Sequence, residues 1–284
     1  MGWSSPGRLA LLVATLGGCA AIAGIGDPSQ SDEADQGIGA PPRSEGASSD
    51  GAPEPLDAGG PCTPERAPAP DGKVHAMAAA GDIRVDGLFD DWACVPRVDV
   101  AKGAFSKGID DAATFEIAAQ WSGTHLYLYA RATTTEPGLD FTGSQIFRND
   151  SLHFFLGPLP RAGTYRATDH QIVFDHDGRK ALYRNGLSVT SELDAAVARR
   201  VLGSELTIEV ELRLPAEMLG VSSFARGDAF FLNAQLNDAK DSGFGFRVFH
   251  LPAACGCTTG CCETAGTTNL PYCDTRCTGE LLLE

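Results

Sequence analysis

"IRVDGLFDDWACVP", residues 83–96, places Asp86, Asp90 and Asp91 just ahead of Trp92, with Asp82 immediately upstream. Acids at that density belong either to an active site or to the punctuation of a fold. Asp86-Gly87 is a turn pair. Asp90 and Asp91 then serve as solvated and capping acids, and Trp92 as an apolar anchor into the core that follows. Cys94 stands close behind as a disulfide candidate. Punctuation is the expected role.

Downstream, Ala79 to His250 hold nearly all the aromatic and β-branched residues, enough for one core. "THLYLYARA" alternates Leu126, Leu128 and Ala130 with Tyr127, Tyr129 and Arg131. "ELTIEVELRLP" alternates Leu206, Ile208, Val210, Leu212 and Leu214 with Thr207, Glu209, Glu211 and Arg213. A period of two predicts strands with one buried and one wet face, which is antiparallel behaviour. Similar runs cover 113–121, 151–157, 170–176, 180–184, 195–202, 229–237 and 244–251. Turn signals separate them, and "PAEMLG" (215–220) predicts one helical turn after Pro215. Short strands at this spacing imply an all-β sandwich or barrel. No βαβ alternation or glycine-rich phosphate loop occurs, and the net charge of −15 disfavours nucleic acid.

Upstream, the first 18 residues carry one basic residue, Arg8, then the apolar run Leu9–Leu16 and two glycines before Cys19. These are the parts of an export signal. "LGGC" resembles a bacterial lipobox, which makes Cys19 the acylated first residue of a lipoprotein. A membrane span is the rival reading, but Leu9–Ile25 falls short of the required length and is interrupted by Gly17 and Gly18. Ala20 after the cysteine resembles the pattern sent to the outer membrane, so a cell-envelope or cell-surface address is expected. Residues 19–70 form the expected lipid-anchored tether. From Gly26 to Pro70 they hold nine of the seventeen prolines and nine acids against two arginines, a composition that cannot offset its ordering entropy.

Nine cysteines are present. With Cys19 lipidated, Cys62, Cys94, Cys255, Cys257, Cys261, Cys262, Cys273 and Cys277 form an even set of disulfide candidates for an oxidising compartment. Their pairing stays open. Residues 253–284 read as a Cys-rich, disulfide-bonded tail. Zinc is the rival, but the cluster contains no paired C-x-x-C.

Five phrases over about 81–250 resemble, in order, the family 9 carbohydrate-binding modules of the DOMON-like β-sandwich group. They are "IRVDGLFDDW", "QWSGTHLYLYARAT", "NDSLHFFLGP", "ELTIEVELRLPAEMLG" and "GDAFFLNAQLNDA". The resemblance implies an antiparallel two-sheet β-sandwich over 71–252 that binds a polysaccharide or glycan without catalysis, in some members with structural calcium. It places a stacking aromatic at Phe147, in "IFRNDS", with Arg148, Asp150, His153 and Gln171 as polar partners. The sequence departs from the family at three points. His153 stands for a glutamate, Val173 for a frequent arginine, and no second tryptophan follows Trp121.

Other candidates come from the residues themselves. Gln171, Asn233, Gln235, Asn237 and Asp238 are unusually dense amides and acids for strands. Asp175 and Asp177 in "DHDG" resemble a calcium-loop fragment, with a tight turn as the alternative. His170 and His176 are candidate metal or haem ligands, since related DOMON domains include haem-binding redox modules. No G-x-S-x-G, H-E-x-x-H or S-x-x-K motif occurs, so no enzyme is expected. Glycan recognition, linked to polysaccharide breakdown, leads. A structural or protein-interaction lipoprotein and a haem module are the alternatives.

Overall fold

The computed structural model describes residues 65–81, 83–100, 105–107, 109, 112–135, 141–161, 165–184, 187–189, 193–240, 243–249 and 278–284. The signal segment, Cys19, most of the tether, Cys62 and the cysteines from Cys255 to Cys277 lie outside these residues. Cys94 is exposed.

The described residues form β1 (Arg66–Ala67), β2 (Lys73–Ala78), β3 (Arg97–Asp99), β4 (Phe105–Lys107), β5 (Thr114–Trp121), β6 (His125–Thr135), β7 (Ser151–Pro158) and β8 (His170–Asp175). They continue with β9 (Lys180–Arg184), β10 (Leu187–Val189), β11 (Asp194–Leu202), β12 (Glu205–Pro215), β13 (Ala229–Lys240), β14 (Gly243–Val248) and β15 (Gly279–Leu283). Three short 3₁₀ turns, Asp90–Trp92, Gly143–Arg148 and Ala216–Leu219, complete them. The predicted turn after Pro215 is the third of these.

The protein is all-β, but the strands do not divide into two separate antiparallel sheets. One sheet runs β10-β9-β8-β7-β13-β15-β2-β5-β6-β12-β11 and curls until its halves face each other across the core. The hinge is β2. Its Lys73–Ala76 pair in parallel with β15, while Met77 and Ala78 pair in parallel with β5. Strand β15 lies in the stretch assigned to the Cys-rich tail, and it sits between β13 and β2 at the centre of the path. Strand β1 lies in the stretch assigned to the tether and pairs with β3. Short runs flanked by proline or cysteine carry too little periodicity to be recognised as strands.

Alternation selects the core as expected. Leu206, Ile208, Val210, Leu212 and Leu214 of β12 face Leu152, Phe154 and Leu156 of β7, Ile172 and Phe174 of β8, and Leu232 and Leu236 of β13. The opposite face of β5 and β6 differs from expectation, because Tyr127 and Tyr129 are buried rather than wet. Residues 83–96 cross over them as a strap. Ile83, Trp92 and Val95 pack on Ala118, Tyr127 and Tyr129, a second core outside the sheet.

The strap owes its course to local chemistry. Gly87 takes φ +80°, Asp86 accepts the Leu88 N–H, and Asp91 accepts the Arg84 N–H at 2.8 Å. Glu211 reaches up from β12 to accept the Gly87 N–H at 3.1 Å, and burial pushes its carboxyl above the usual range. Asp90 and Asp91 open the 3₁₀ turn that ends at Trp92. Trp92 anchors the strap against the outside of one half rather than between the halves.

Candidate functional site

Facing away from the core, β7, β8 and β13 present a row of polar side chains. Cross-strand register sets it: Ser151 opposes Asn237 and Asp175, His153 opposes Gln235 and Val173, and Phe155 opposes Asn233 and Gln171. Because opposed residues share a face, hydrogen-bonding groups from three strands meet there.

Several of these groups bond one another. Gln171 Nε2 lies 3.5 Å from His153 Nδ1, and His153 Nε2 lies 2.9 Å from Ser151 Oγ. Ser151 donates to the Asn149 carbonyl, and Asn237 Nδ2 also approaches His153 Nε2, at 3.3 Å. Asn237 Nδ2 donates to the Phe147 carbonyl at 2.6 Å, and Gln235 Nε2 donates to Asn237 Oδ1 at 2.5 Å. His153 is 1 % exposed, and burial pushes its imidazole down to about 3. It is a neutral hydrogen-bonding group.

The turn Gly143–Arg148 sets Phe147 at the border of this row. With Ile146 it packs on Val173 and Tyr183. The Phe147 and Tyr183 rings meet edge to face at 6.5 Å, and burial pushes the Tyr183 phenol up to about 12. Phe147 is half-buried, and Gln171, the cross-strand partner of Tyr183, is 9 % exposed. Phe147, His153 and Gln171 therefore converge on one face, with Gln171 between the aromatic border and the buried imidazole.

The remaining expected partners stand apart from that face. Arg148 is exposed, donates to Gln145 and lies 4.4 Å over the Phe141 ring. Asp150 is fully buried and accepts the Ala239 N–H at 2.7 Å, tying β13 to the start of β7. Ser151 and Tyr183 were missed in the sequence. Ser151 sits inside the quoted "NDSLHFFLGP", and only the register shows that its hydroxyl meets His153.

The DHDG segment is a tight turn. The Asp175 carboxylate accepts from the Asp177 and Arg179 backbone N–H groups, from Asn149 Nδ2 and from Arg179 Nε. Four protein donors occupy the lone pairs a calcium ion would use. Asp177 pairs with Arg179 at 3.1 Å. His170 begins β8 and His176 follows its end, about 20 Å apart at strand rise, so one ion cannot bridge them. His170 Nε2 lies 2.6 Å from the Met218 carbonyl, which it serves as donor.

His153 makes stability acid-sensitive. Its folded value lies below the unfolded value of about 6.5, so falling pH favours the unfolded chain, which binds the proton first. The buried imidazole should cost about 2 kcal/mol at pH 5 relative to pH 8. In urea titrations at both pH values, His153→Gln should lose stability at pH 8 and show a pH dependence smaller by that amount. Equal pH dependence in both proteins would remove His153 as the cause.

No family model matches the chain, and no curated protein matches it. Solved structures do resemble it in fold. A family 9 carbohydrate-binding module from Caldicellulosiruptor kristjanssonii, solved with glucose, superposes with a TM-score of 0.52 at 16 % identity, covering 75 % of this chain and 95 % of that one. The cellotriose complex of a family 9 module from that organism gives 0.51 at 15 %, covering 75 % and 93 %. A candidate carbohydrate-binding protein from Bacteroides uniformis gives 0.52 at 12 %, covering 75 % and 98 %.

Proposed function

We propose that this chain is a non-catalytic glycan-recognition module, carried to the cell envelope by the signal segment 1–18 and held there by a lipid on Cys19. The tether extends the module from an outer-membrane or cell-surface anchor, in the service of polysaccharide breakdown. The observation that carries the function is Phe147 bordering a face whose side chains include amides, a hydroxyl and a neutral imidazole. A pyranose presents an apolar C–H face and a rim of hydroxyls that need paired donors and acceptors. Phe147 supplies the first kind of contact and Gln171 the second. The fold likeness to modules solved with glucose and cellotriose supports the same ligand class.

The two departures at His153 and Val173 belong together. They are cross-strand partners, so a glutamate and an arginine at these positions would stand side by side. Here a neutral imidazole faces an apolar side chain, and neither charge is left unmatched. A neutral sugar suits that face.

Phe147→Ala should weaken binding of the best neutral oligosaccharide from an array by at least tenfold, measured by calorimetry, with the melting temperature little changed. Unchanged affinity would remove Phe147 from the site. Cys19→Ala should release the protein from membranes, and unchanged partitioning would sink the anchor.

A further inference from the structure

Two clefts run together at the mouth of the sandwich, on surfaces the polar row does not use. Alternation along β9 turns Tyr183 toward that row and Arg184 toward the gap between the halves. Arg184, Leu193, Leu214, Pro215, Glu217 and Met218 line a cleft of about 440 Å³ there. It continues past His125 and the Asp194–Arg213 ion pair into a cleft of about 520 Å³ between β6, β12 and the strap residues Arg84 and Asp86. Both volumes lie in the range of small-ligand sites.

One polar group of the lining, Arg184 Nε, is buried without a partner among the described residues. The Arg184 side chain is half-buried and makes no hydrogen bond or ion pair among the described residues. A buried N–H without an acceptor costs free energy, and a ligand oxygen would supply that acceptor. Glu217, on the turn Ala216–Leu219, lines the same cleft and has an exposed side chain that bonds no described side chain. Leu214, Pro215 and Met218 add apolar lining to the same cleft. Formal charges along the joined clefts cancel, with Arg84, Arg184 and Arg213 against Asp86, Asp194 and Glu217. The lining selects no net charge.

Donor, acceptor and apolar lining in an electrically balanced cleft match a neutral ring carrying vicinal hydroxyls. We propose that these joined clefts are a second saccharide site, in which hydroxyls of a neutral sugar unit accept from Arg184 and donate to Glu217. This site presupposes the glycan recognition proposed above and is distinct from the Phe147 face. A chain with two sites engages a polymer at two points and gains avidity without higher affinity at either.

The test is calorimetry on the full chain with the tightest neutral binder from gluco-, xylo-, manno- and galacto-oligosaccharides. Wild type should bind two equivalents. The double variant Arg184→Gln, Glu217→Gln should lose one of them, with at least a tenfold fall in affinity there, and Phe147→Ala should lose the other. In the wild-type protein, NMR titration should shift the Arg184 Nε–H and Met218 methyl signals, a readout independent of any variant's folding. One equivalent, lost in Phe147→Ala and kept with unmoved Arg184 and Met218 signals, would overturn the second site and leave glycan recognition standing. One equivalent lost only in the double variant supports the cleft and overturns the Phe147 face. No binding by any neutral sugar overturns both. Tenfold preference for glucuronate over glucose at the cleft would overturn the neutral class.

Discussion

Deleting Gly279–Glu284 should leave a chain with no cooperative thermal transition. These residues read as the end of a tail, yet β15 fills the middle of the sheet, bonded to β13 on one side and β2 on the other. Leu281 and Leu283 are 0 % and 1 % exposed. Burying two leucines is worth about 4–10 kcal/mol together, comparable with the whole net stability of about 5–15 kcal/mol. Deletion would also strip backbone partners from Gly72, Ala76, Gly227 and Asp228, and leave Trp121 Nε1 without the Glu284 carbonyl. Gly279→Ala tests the same strand with one methyl group. Its Cβ would lie inside contact distance of the Gly72 carbonyl oxygen, 2.8 Å from Phe249 Cε1 and 3.1 Å from the Leu232 carbonyl oxygen. Backbone on both sides leaves little room to relax, so a loss of about 3 kcal/mol or more is expected. A deletion protein that melts like wild type would show β15 to be dispensable.

Trp92→Ala should cost about 3–5 kcal/mol, a fall in melting temperature on the order of 10 °C. The indole is 0 % exposed and stacks on Tyr129 at 5.4 Å and 28°. Tyr129 in turn carries the Arg97 guanidinium 4.6 Å from its ring centre and donates to Glu209 at 2.9 Å. Removing Trp92 therefore opens a cavity under the strap and loosens the aromatic stack that holds it. Its Nε1 is buried without a partner among the described residues, so Trp92→Phe loses volume but none of the described hydrogen bonds and should cost less than the alanine. Glycan affinity at the Phe147 face should stay within twofold of wild type in both variants, because Trp92 packs on the other half of the curled sheet. A selective loss of sugar binding with unchanged melting would make Trp92 a ligand platform instead.

Legibility of the fold followed the strength of periodicity. Strands β5 to β9 and β11 to β14 announce themselves by alternation, and the turn after Pro215 by its proline and glycine. Strands β1, β3, β4, β10 and β15 are two to five residues long, too short for a period of two to stand out, and their pairing comes from neighbours distant in the chain. The site was legible in part. Phe147, His153 and Gln171 share a face, while Arg148 and Asp150 do not join it, because direction along a 3₁₀ turn depends on what the turn packs against.

From its residues alone, this chain reads as all-β and acidic, without the G-x-S-x-G, H-E-x-x-H or S-x-x-K motifs, since composition and alternation are local properties. Trp92 could likewise be recognised there as an anchor. Long-range register settled the rest. It joined two expected sheets into one through β2, and it buried Tyr127 and Tyr129 under the strap. It also closed His153 into a hydrogen-bonded row and brought Arg184 and Glu217 to the lining of one cleft. Each of these depends on which distant residue stands opposite, and cross-strand partners are chosen by the packing of the whole core.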